Sequence, residues 1–238
     1  MRKLQNILIL TALLVAASCT KQSMATIEGA ITEANEKTLY LDFLGVTKVN
    51  VCDSAKLDAD GNFRFQVPVP ECFDFYRLRI GKEVVYLSVD STETLRVNAA
   101  LPTMSVAYEV EGSEDNLMLK ELVRKQGELQ SNVLRVSRNA GPEIGIASQR
   151  IDTLVERYKR EVRMEYIYPD PGKPYAYFAL FQRLNGVHIF DPTLTRDDIR
   201  CFAAVATNLD LFHPEAERTR NIKSNYSADN RHHIFFAG

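Results

Sequence analysis

The sequence is poor in the residues and spacings that announce a chemistry. Its four cysteines stand at positions 19, 52, 72 and 201, so no CxxC or other close pair exists to hold zinc or an iron–sulfur cluster, or to run a dithiol redox cycle. Its histidines, His188, His213, His232 and His233, include no pair at helical ligand spacing, which argues against a metal site. No GxSxG, HExxH, P-loop or GxGxxG is present, and these are the short motifs of an acyl-transfer nucleophile, a zinc protease and a phosphate cradle. Charge of one sign is lacking too. The 29 Lys+Arg stand against 31 Asp+Glu with no long run of either, which excludes the footprint of a nucleic-acid binder or a polybasic membrane patch. With 11 Gly and 9 Pro in 238 residues, collagen-like and low-complexity behaviour are excluded. What remains is an ordinary globular composition, 45% hydrophobic and 25% charged, able to bury a core. The residues by themselves specify no enzyme, no cofactor and no metal.

The N-terminus carries an address. Arg2 and Lys3 form a charged start, Ile7 to Val15 an apolar stretch, and Ala16-Ala17-Ser18 a small-residue cleavage site. The apolar stretch falls short of the ~20 residues that span a bilayer. Ala16-Ala17-Ser18-Cys19 resembles the lipobox of bacterial lipoproteins, with Ala16 where that pattern prefers Leu. The resemblance implies that residues 1–18 are removed as a signal peptide and that Cys19 carries the acyl chains of a membrane anchor. Loss of Arg2 and Lys3 lowers Lys+Arg from 29 to 27 against 31 Asp+Glu, for a net charge of −4. Residues 19–25 read as a short linker to the anchor.

From 26 to 112 the apolar residues follow a period of two, interrupted every 8 to 12 residues by turn chemistry. Strands are expected at 26–32, 38–43, 47–53, 63–67, 73–80, 84–89, 94–98 and 105–110. Val49 and Val51 share one face of the third, and Phe63, Phe65 and Val67 one face of the fourth. Asp60-Gly61 supplies the positive-φ pair of a tight hairpin. Short strands with one apolar face each predict an antiparallel β-sandwich.

After Gly112 the period becomes helical and the region 113–223 reads as helices. Leu119, Leu122, Gln126, Leu129, Val133 and Val136 form one stripe, and Ile144, Ser148, Ile151, Val155, Tyr158 and Val162 a second. Asn139-Ala140-Gly141-Pro142 is a stop followed by a start, so the two should form an antiparallel helical hairpin. Gln126 is then a polar residue in the seam, not a catalytic group. Pro174 suits the first turn of a helix ending near Gly186, with Tyr177, Leu180, Phe181 and Leu184 on its face. Thr195 and Asp198 have capping-box spacing ahead of Ile199, Phe202, Ala203, Ala206 and Leu209. His213-Pro214 opens a last short helix through Asn221, and 224–238 has no periodicity. The expected fold is mixed, β first and then α: a sandwich, a helical hairpin and further short helices.

Two local patterns have competing readings. Asp58-Ala59-Asp60-Gly61-Asn62 has the alternating oxygen side chains that open a calcium loop, but Val69 stands where the twelfth-position Glu is needed; a hairpin turn is the simpler reading. Cys52 and Cys72 lie on either side of that hairpin, and in an exported protein they could form a disulfide. Alternatively, Cys52 is a small core residue in its strand and Cys201 packs beside Phe202. No histidine neighbours any cysteine in sequence, which counts against a catalytic thiol.

The layout resembles a known family. Ile27-Glu28-Gly29, Leu39-Tyr40-Leu41, Asp53-Ser54-Ala55, Asp60-Gly61-Asn62-Phe63 and Val110-Glu111-Gly112-Ser113 look like the uncharacterised N-terminal domain of thioredoxin-like thiol-disulfide oxidoreductases of Bacteroidetes, many of them lipoproteins. Tyr177-Phe178-Ala179-Leu180-Phe181, Phe190-Asp191-Pro192 and Pro214-Glu215-Ala216 match the helical connector of those proteins, so the resemblance runs over roughly 25–223. In that family a thioredoxin-like domain with a CxxC follows; this sequence has none, so no catalytic residue carries over. Two expectations result. One is a membrane-anchored envelope lipoprotein acting as a non-catalytic binding or scaffold module, with an unidentified envelope protein or ligand as partner. The other is a truncated oxidoreductase that has lost its CxxC domain. Thr20-Lys21-Gln22-Ser23 lacks the acidic run that some lipoproteins of this group use for surface display, so the resemblance implies a periplasmic orientation.

Overall fold

The computed structural model describes residues 23–139 and 144–234. The leader, Cys19 and Ala140-Gly141-Pro142 of the helix stop lie outside the described residues. The chain folds as β then α, as its two periodicities dictate. Eight strands come first: β1 Met24–Thr32, β2 Thr38–Leu44, β3 Val49–Lys56, β4 Asn62–Pro68, β5 Asp74–Ile80, β6 Glu83–Val89, β7 Thr94–Ala100 and β8 Tyr108–Glu111. They build two four-stranded sheets, ordered β4-β1-β7-β8 and β3-β2-β5-β6. All pairings are antiparallel save one: β1 runs parallel to β7, with Ile27 opposite Leu95 and Gly29 opposite Val97.

The sandwich interior takes the alternating residues of both sheets, among them Ile27, Ile31, Leu39, Leu41, Phe65, Leu78, Leu87, Leu95 and Val97. Phe63, Phe65 and Val67 are buried together as expected. Val49 and Val51 are not: they are 52% and 57% exposed, because β3 is an edge strand and every other described residue of it is exposed or half-buried. An alternating pattern shows that a strand has two faces, but it does not show whether a second sheet covers either one.

The helices are α1 Glu114–Arg138, α2 Ile144–Val162, α3 Pro174–Leu180, α4 Arg196–Phe212 and α5 Glu217–Ile234, with a π-helical turn at Arg163–Ile167. Helix α1 starts at Ser113, whose hydroxyl accepts from the Asn116 N–H, and Glu114, Asp115, Arg135 and Arg138 complement its dipole. Its buried stripe is Leu119, Leu122, Leu129 and Val133. In α2 Ser148 is exposed, and the packed positions are Ala147, Tyr158 and Val162, with Ile151 and Val155 half-buried. Thr195 caps α4 by accepting from the Asp198 N–H at 3.1 Å.

Two helix boundaries differ from the sequence reading. Helix α3 stops at Leu180, and a two-strand hairpin follows, β9 Arg183–Leu184 and β10 Val187–His188. Asn185 and Gly186, at φ 52° and 85°, form its turn, the residue pair that a tight hairpin prefers. The last helix begins at Glu217, beyond His213-Pro214, and runs to Ile234 instead of ending at Asn221. Nothing from 217 to 234 breaks it, since the segment has no Gly or Pro. After Ile222 the described side chains, Lys223, Ser224 and Asn225, are exposed.

The helices cover the outer face of β5 and β6. Phe73 and Phe75 pack among Tyr177, Leu180, Phe190 and Phe202 in a second core, while the neighbouring Tyr76 and Leu78 point into the sandwich. Asn116, 1% exposed, joins α1 to the sheet. Its carboxamide oxygen accepts from the Ser88 N–H and its nitrogen donates to the Ser88 carbonyl, both at 2.8 Å, as a neighbouring strand would.

The two layers predict opposite signs for two Gly→Ala substitutions. Gly29 has φ 149°, and a Cβ there would sit 1.8 Å from the Val97 carbonyl oxygen. Gly127 lies on α1 with nothing within 4 Å of an added Cβ. Gly29→Ala should destabilise the fold by about 2–4 kcal/mol, and Gly127→Ala should stabilise it by about 0.5–1 kcal/mol. Urea midpoints at constant slope measure both; a neutral Gly29→Ala would contradict the close pairing of β1 with β7.

Candidate functional site

Where the two layers meet, the chain leaves a cleft of about 500 Å³, within the size range of small-molecule sites. The end of β2 forms one wall, Leu44 to Val46 with Phe75 of β5 beside it. Tyr177 and Phe178 of α3, Phe181, Phe190 and Phe202 form the aromatic walls, and Arg218, Asn221 and Asn225 of α5 close it. The rings meet tilted or edge-on: Phe181 lies 4.7 Å from Tyr177 and 5.9 Å from Phe202 between centroids, and Phe75 lies 5.5 Å from Phe178. Such pairs add about 0.5–1.5 kcal/mol each beyond their burial, which keeps the walls in place.

Arg218 ties the helical layer to the sheet beneath the cleft. Its side chain is 7% exposed, and its Nη2 donates to the Leu44 carbonyl and to Asp74 Oδ1, the latter at 3.1 Å. The guanidinium lies 4.9 Å from the Phe75 ring centre and 5.7 Å from that of Tyr177. Burial pushes the Asp74 carboxyl above its ordinary value, although the Arg218 charge draws it down. Asn221 adds a second link, donating to the Tyr177 hydroxyl at 2.6 Å.

A polar chain sets the β9–β10 hairpin at the mouth. The Tyr158 hydroxyl donates to Gln182 Oε1 at 2.6 Å, Gln182 Nε2 donates to Gln126 Oε1 at 3.1 Å, and Gln126 Nε2 donates to the Arg183 carbonyl at 2.8 Å. One turn further along α1, Gln130 donates to Asn185 Oδ1 at 2.7 Å. Gln126 is thus a structural polar residue of the seam, as its position in the stripe suggests, and its partner is the hairpin.

On that hairpin Arg183 faces His188 across the strand pair, with Nη2 2.9 Å from Nε2. A guanidinium only donates, so Nε2 accepts and the imidazole is neutral with its proton on Nδ1. Burial, and then the Arg183 charge, lower the His188 pKa below its ordinary value of 6.5. Three residues on, Asp191 Oδ1 accepts from the Thr193 N–H at 2.9 Å and from the Thr193 hydroxyl at 2.7 Å. The Asp191 N–H donates to Asp198 Oδ2, which also pairs with buried Lys159 at 2.6 Å. The cleft therefore offers apolar faces, guanidinium and imidazole donors and a carboxylate, with no Ser, Thr, Cys or Lys in its lining.

The cysteines lie elsewhere. Cys52, Cys72 and Cys201 are free thiols, so the Cys52–Cys72 bridge is not made. Strand β2 stands between β3 and β5, which separates those strands by about 10 Å, whereas a disulfide needs Cα atoms within about 7 Å. Cys52 is exposed at a bulge, skipped as Leu41 pairs with Asp53 and Asp42 with Val51. Cys72 is buried under the helices with its thiol pushed up to about 12 by burial, and burial raises Cys201 to about 11. Cys201 packs beside Phe202 in the helical core. Asp58 to Asn62 is a turn, with Asp58 Oδ1 accepting from the N–H groups of Asp60 and Gly61, but not the expected hairpin: β3 pairs with β2 and β4 with β1, so the turn carries the chain from one sheet to the other. Among the described residues, no group of three or more His, Cys, Asp or Glu could hold a metal ion, and no helix is long and apolar enough to cross a membrane. The side chains of His232 and His233 lie outside the described residues.

No protein-family profile and no curated protein matches the chain. Of solved structures, one titled "Crystal structure of (S)-allantoin synthase" aligns at 8% identity over 39% of this chain and 46% of that one, with a TM-score of 0.27. The alignment spans less than half of that protein, and a likeness at this level carries no argument about fold or activity.

The neutral imidazole has a testable consequence. His188 keeps its proton off until below its ordinary value, while the unfolded chain takes one up there. Its contribution to stability is therefore complete above pH 6.5 and is lost as pH falls through the lowered folded value. A histidine-resolved NMR titration should place the His188 midpoint below the ordinary value. Arg183→Gln should move it part of the way back, because burial, the larger cause, stays. A midpoint at or above the ordinary value would contradict the Arg183–His188 geometry.

Proposed function

We propose that this chain is a bacterial envelope lipoprotein, anchored through Cys19, that binds a small ligand in the cleft between its sandwich and its helices without transforming it. The observation that carries the reading is the cleft itself: aromatic walls held by Arg218, a few directed polar groups, and a lining without Ser, Thr, Cys or Lys. Specific binding sites have this make-up, mostly apolar with a small number of placed polar groups. The signal sequence and the position of Cys19 support the anchor. The likeness to the N-terminal part of thioredoxin-like lipoproteins supports the same compartment, and the lack of an acidic run after Cys19 supports a periplasmic orientation.

Disulfide exchange is not part of the proposal. That chemistry needs a low-pKa thiolate and a reachable second thiol, and burial raises all three of Cys52, Cys72 and Cys201 above their ordinary value.

The anchor is tested by expressing the full chain in a Gram-negative host with labelled palmitate. The native protein should take up label and sediment with membranes, and Cys19→Ala should lose the label and leave the membrane fraction. Unlabelled native protein, or a Cys19→Ala protein still in the membrane, would overturn the anchoring.

A further inference from the structure

The charges around the cleft are arranged in a way that a purely apolar ligand does not account for. Arg218 is already neutralised, since Asp74 lies 3.1 Å from it. Arg183 is different. It lines the cleft, its side chain reaches His188, and among the described residues no carboxylate lies within 4.0 Å of it. Asp191 lines the same cleft, and among the described residues no cation lies within 4.0 Å of its carboxylate, whose Oδ1 is held by Thr193. Arg183 stands opposite His188 across the hairpin and Asp191 follows His188 by three residues. His188 feels both charges, lowered by one and raised by the other. The aromatic cleft thus carries one guanidinium and one carboxylate around a neutral imidazole, and among the described residues neither forms an ion pair.

We infer that the cleft takes a zwitterion, a free α-amino acid with an aromatic side chain. The inference rests on the reading of the cleft as a binding site and adds its ligand class. The carboxylate of the amino acid meets Arg183, whose planar fork matches a carboxylate in two hydrogen bonds. The ammonium meets Asp191. The ring packs against the aromatic surface that Tyr177, Phe181 and Phe202 give to the cleft. An anion alone would leave Asp191 unmatched and repelling it, and a cation alone would do the same with Arg183. Discrimination therefore comes from both ends of the ligand.

The test is calorimetric titration of the lipid-free Cys19→Ala chain with L-phenylalanine and two analogues. One is 3-phenylpropionate, which lacks the ammonium, and the other is 2-phenylethylamine, which lacks the carboxylate. L-phenylalanine should bind at least tenfold more tightly than either. Arg183→Gln should weaken L-phenylalanine about tenfold and tighten 2-phenylethylamine, whose ammonium the guanidinium repels. Asp191→Asn, whose amide oxygen still accepts from Thr193, should weaken L-phenylalanine and tighten 3-phenylpropionate, which the Asp191 carboxylate repels. Arg183→Lys keeps the charge and should retain part of the affinity, which separates lost recognition from a disturbed hairpin. Equal binding of either analogue, or no binding of L-phenylalanine at millimolar concentration, overturns the zwitterion. The binding-module reading is judged apart from it: a mixed fragment set in which nothing shifts the His188 signals overturns that reading, while a fragment of other chemistry that does so overturns only the ligand class.

Discussion

The start of strand β5 is buried on both faces, and the rest of the molecule is arranged around that constraint. Tyr76, Leu78 and Ile80 fill the sandwich, while Phe75, next to Tyr76, and Phe73, just ahead of the strand, lie under the helices. A strand with apolar residues on both sides has to be covered twice. The second sheet provides one cover and the helical layer the other. Arg218 fastens the second cover by bonding to Asp74 at the start of β5 and to Leu44 at the end of β2, and Asn116 fastens it again at the edge strand β6. A buried arginine without its carboxylate costs several kcal/mol, so the contact works as a lock between layers more than as a surplus of stability.

The cleft follows from the same arrangement. Helix α3 lies on the start of β5 through Tyr177 and Phe178, and the end of β2, the β9–β10 hairpin, Phe202 of α4 and the residues of α5 complete a cleft whose walls are aromatic residues of the second core. The residues that fix the hairpin and Asp191 are polar and specific. Gln126 and Gln130 hold the hairpin from α1, and Asp198, at the N-terminus of α4, holds the backbone of Asp191. The proposed ligand site is thereby placed on elements that the two cores already make rigid, which is how a site keeps its geometry without a ligand present.

Much of this was legible in the sequence, for a physical reason. Alternation in β4 and heptad-like spacing in α1 are repeated local signals, and each repeat confirms the last. Thr195 with Asp198 is a signal completed within four residues, and the cap forms as read. What could not be read depends on partners distant in sequence. Val49 and Val51 alternate like core residues, yet β3 has no sheet over it. Asn185-Gly186 was a turn signal overridden by the helical spacing of Leu180 and Leu184, and with it went the hairpin that presents Arg183. The cleft gathers residues from Leu44 to Asn225, and Arg218 lies 144 residues from Asp74, so no window of sequence contains the site. Of the residues named beforehand, His188, Tyr177, Phe181, Phe190, Asp191 and Phe202 line it, but they were read as an unpaired histidine, helix faces or parts of a family resemblance and not as one site.

The central claim is that β5 makes the two layers one cooperative unit. Native-state hydrogen exchange tests it most directly, because it reports the opening free energy of each amide separately. The slowest amides of β1, inside the sheet that does not contain β5, and those of α1, in the helical layer, should exchange through the same opening with free energies equal to within about 1 kcal/mol. Both should fall together in an Arg218→Met chain. Amides of α1 that open well below those of β1, with β1 unmoved by Arg218→Met, would show the layers to be independent and would contradict the account.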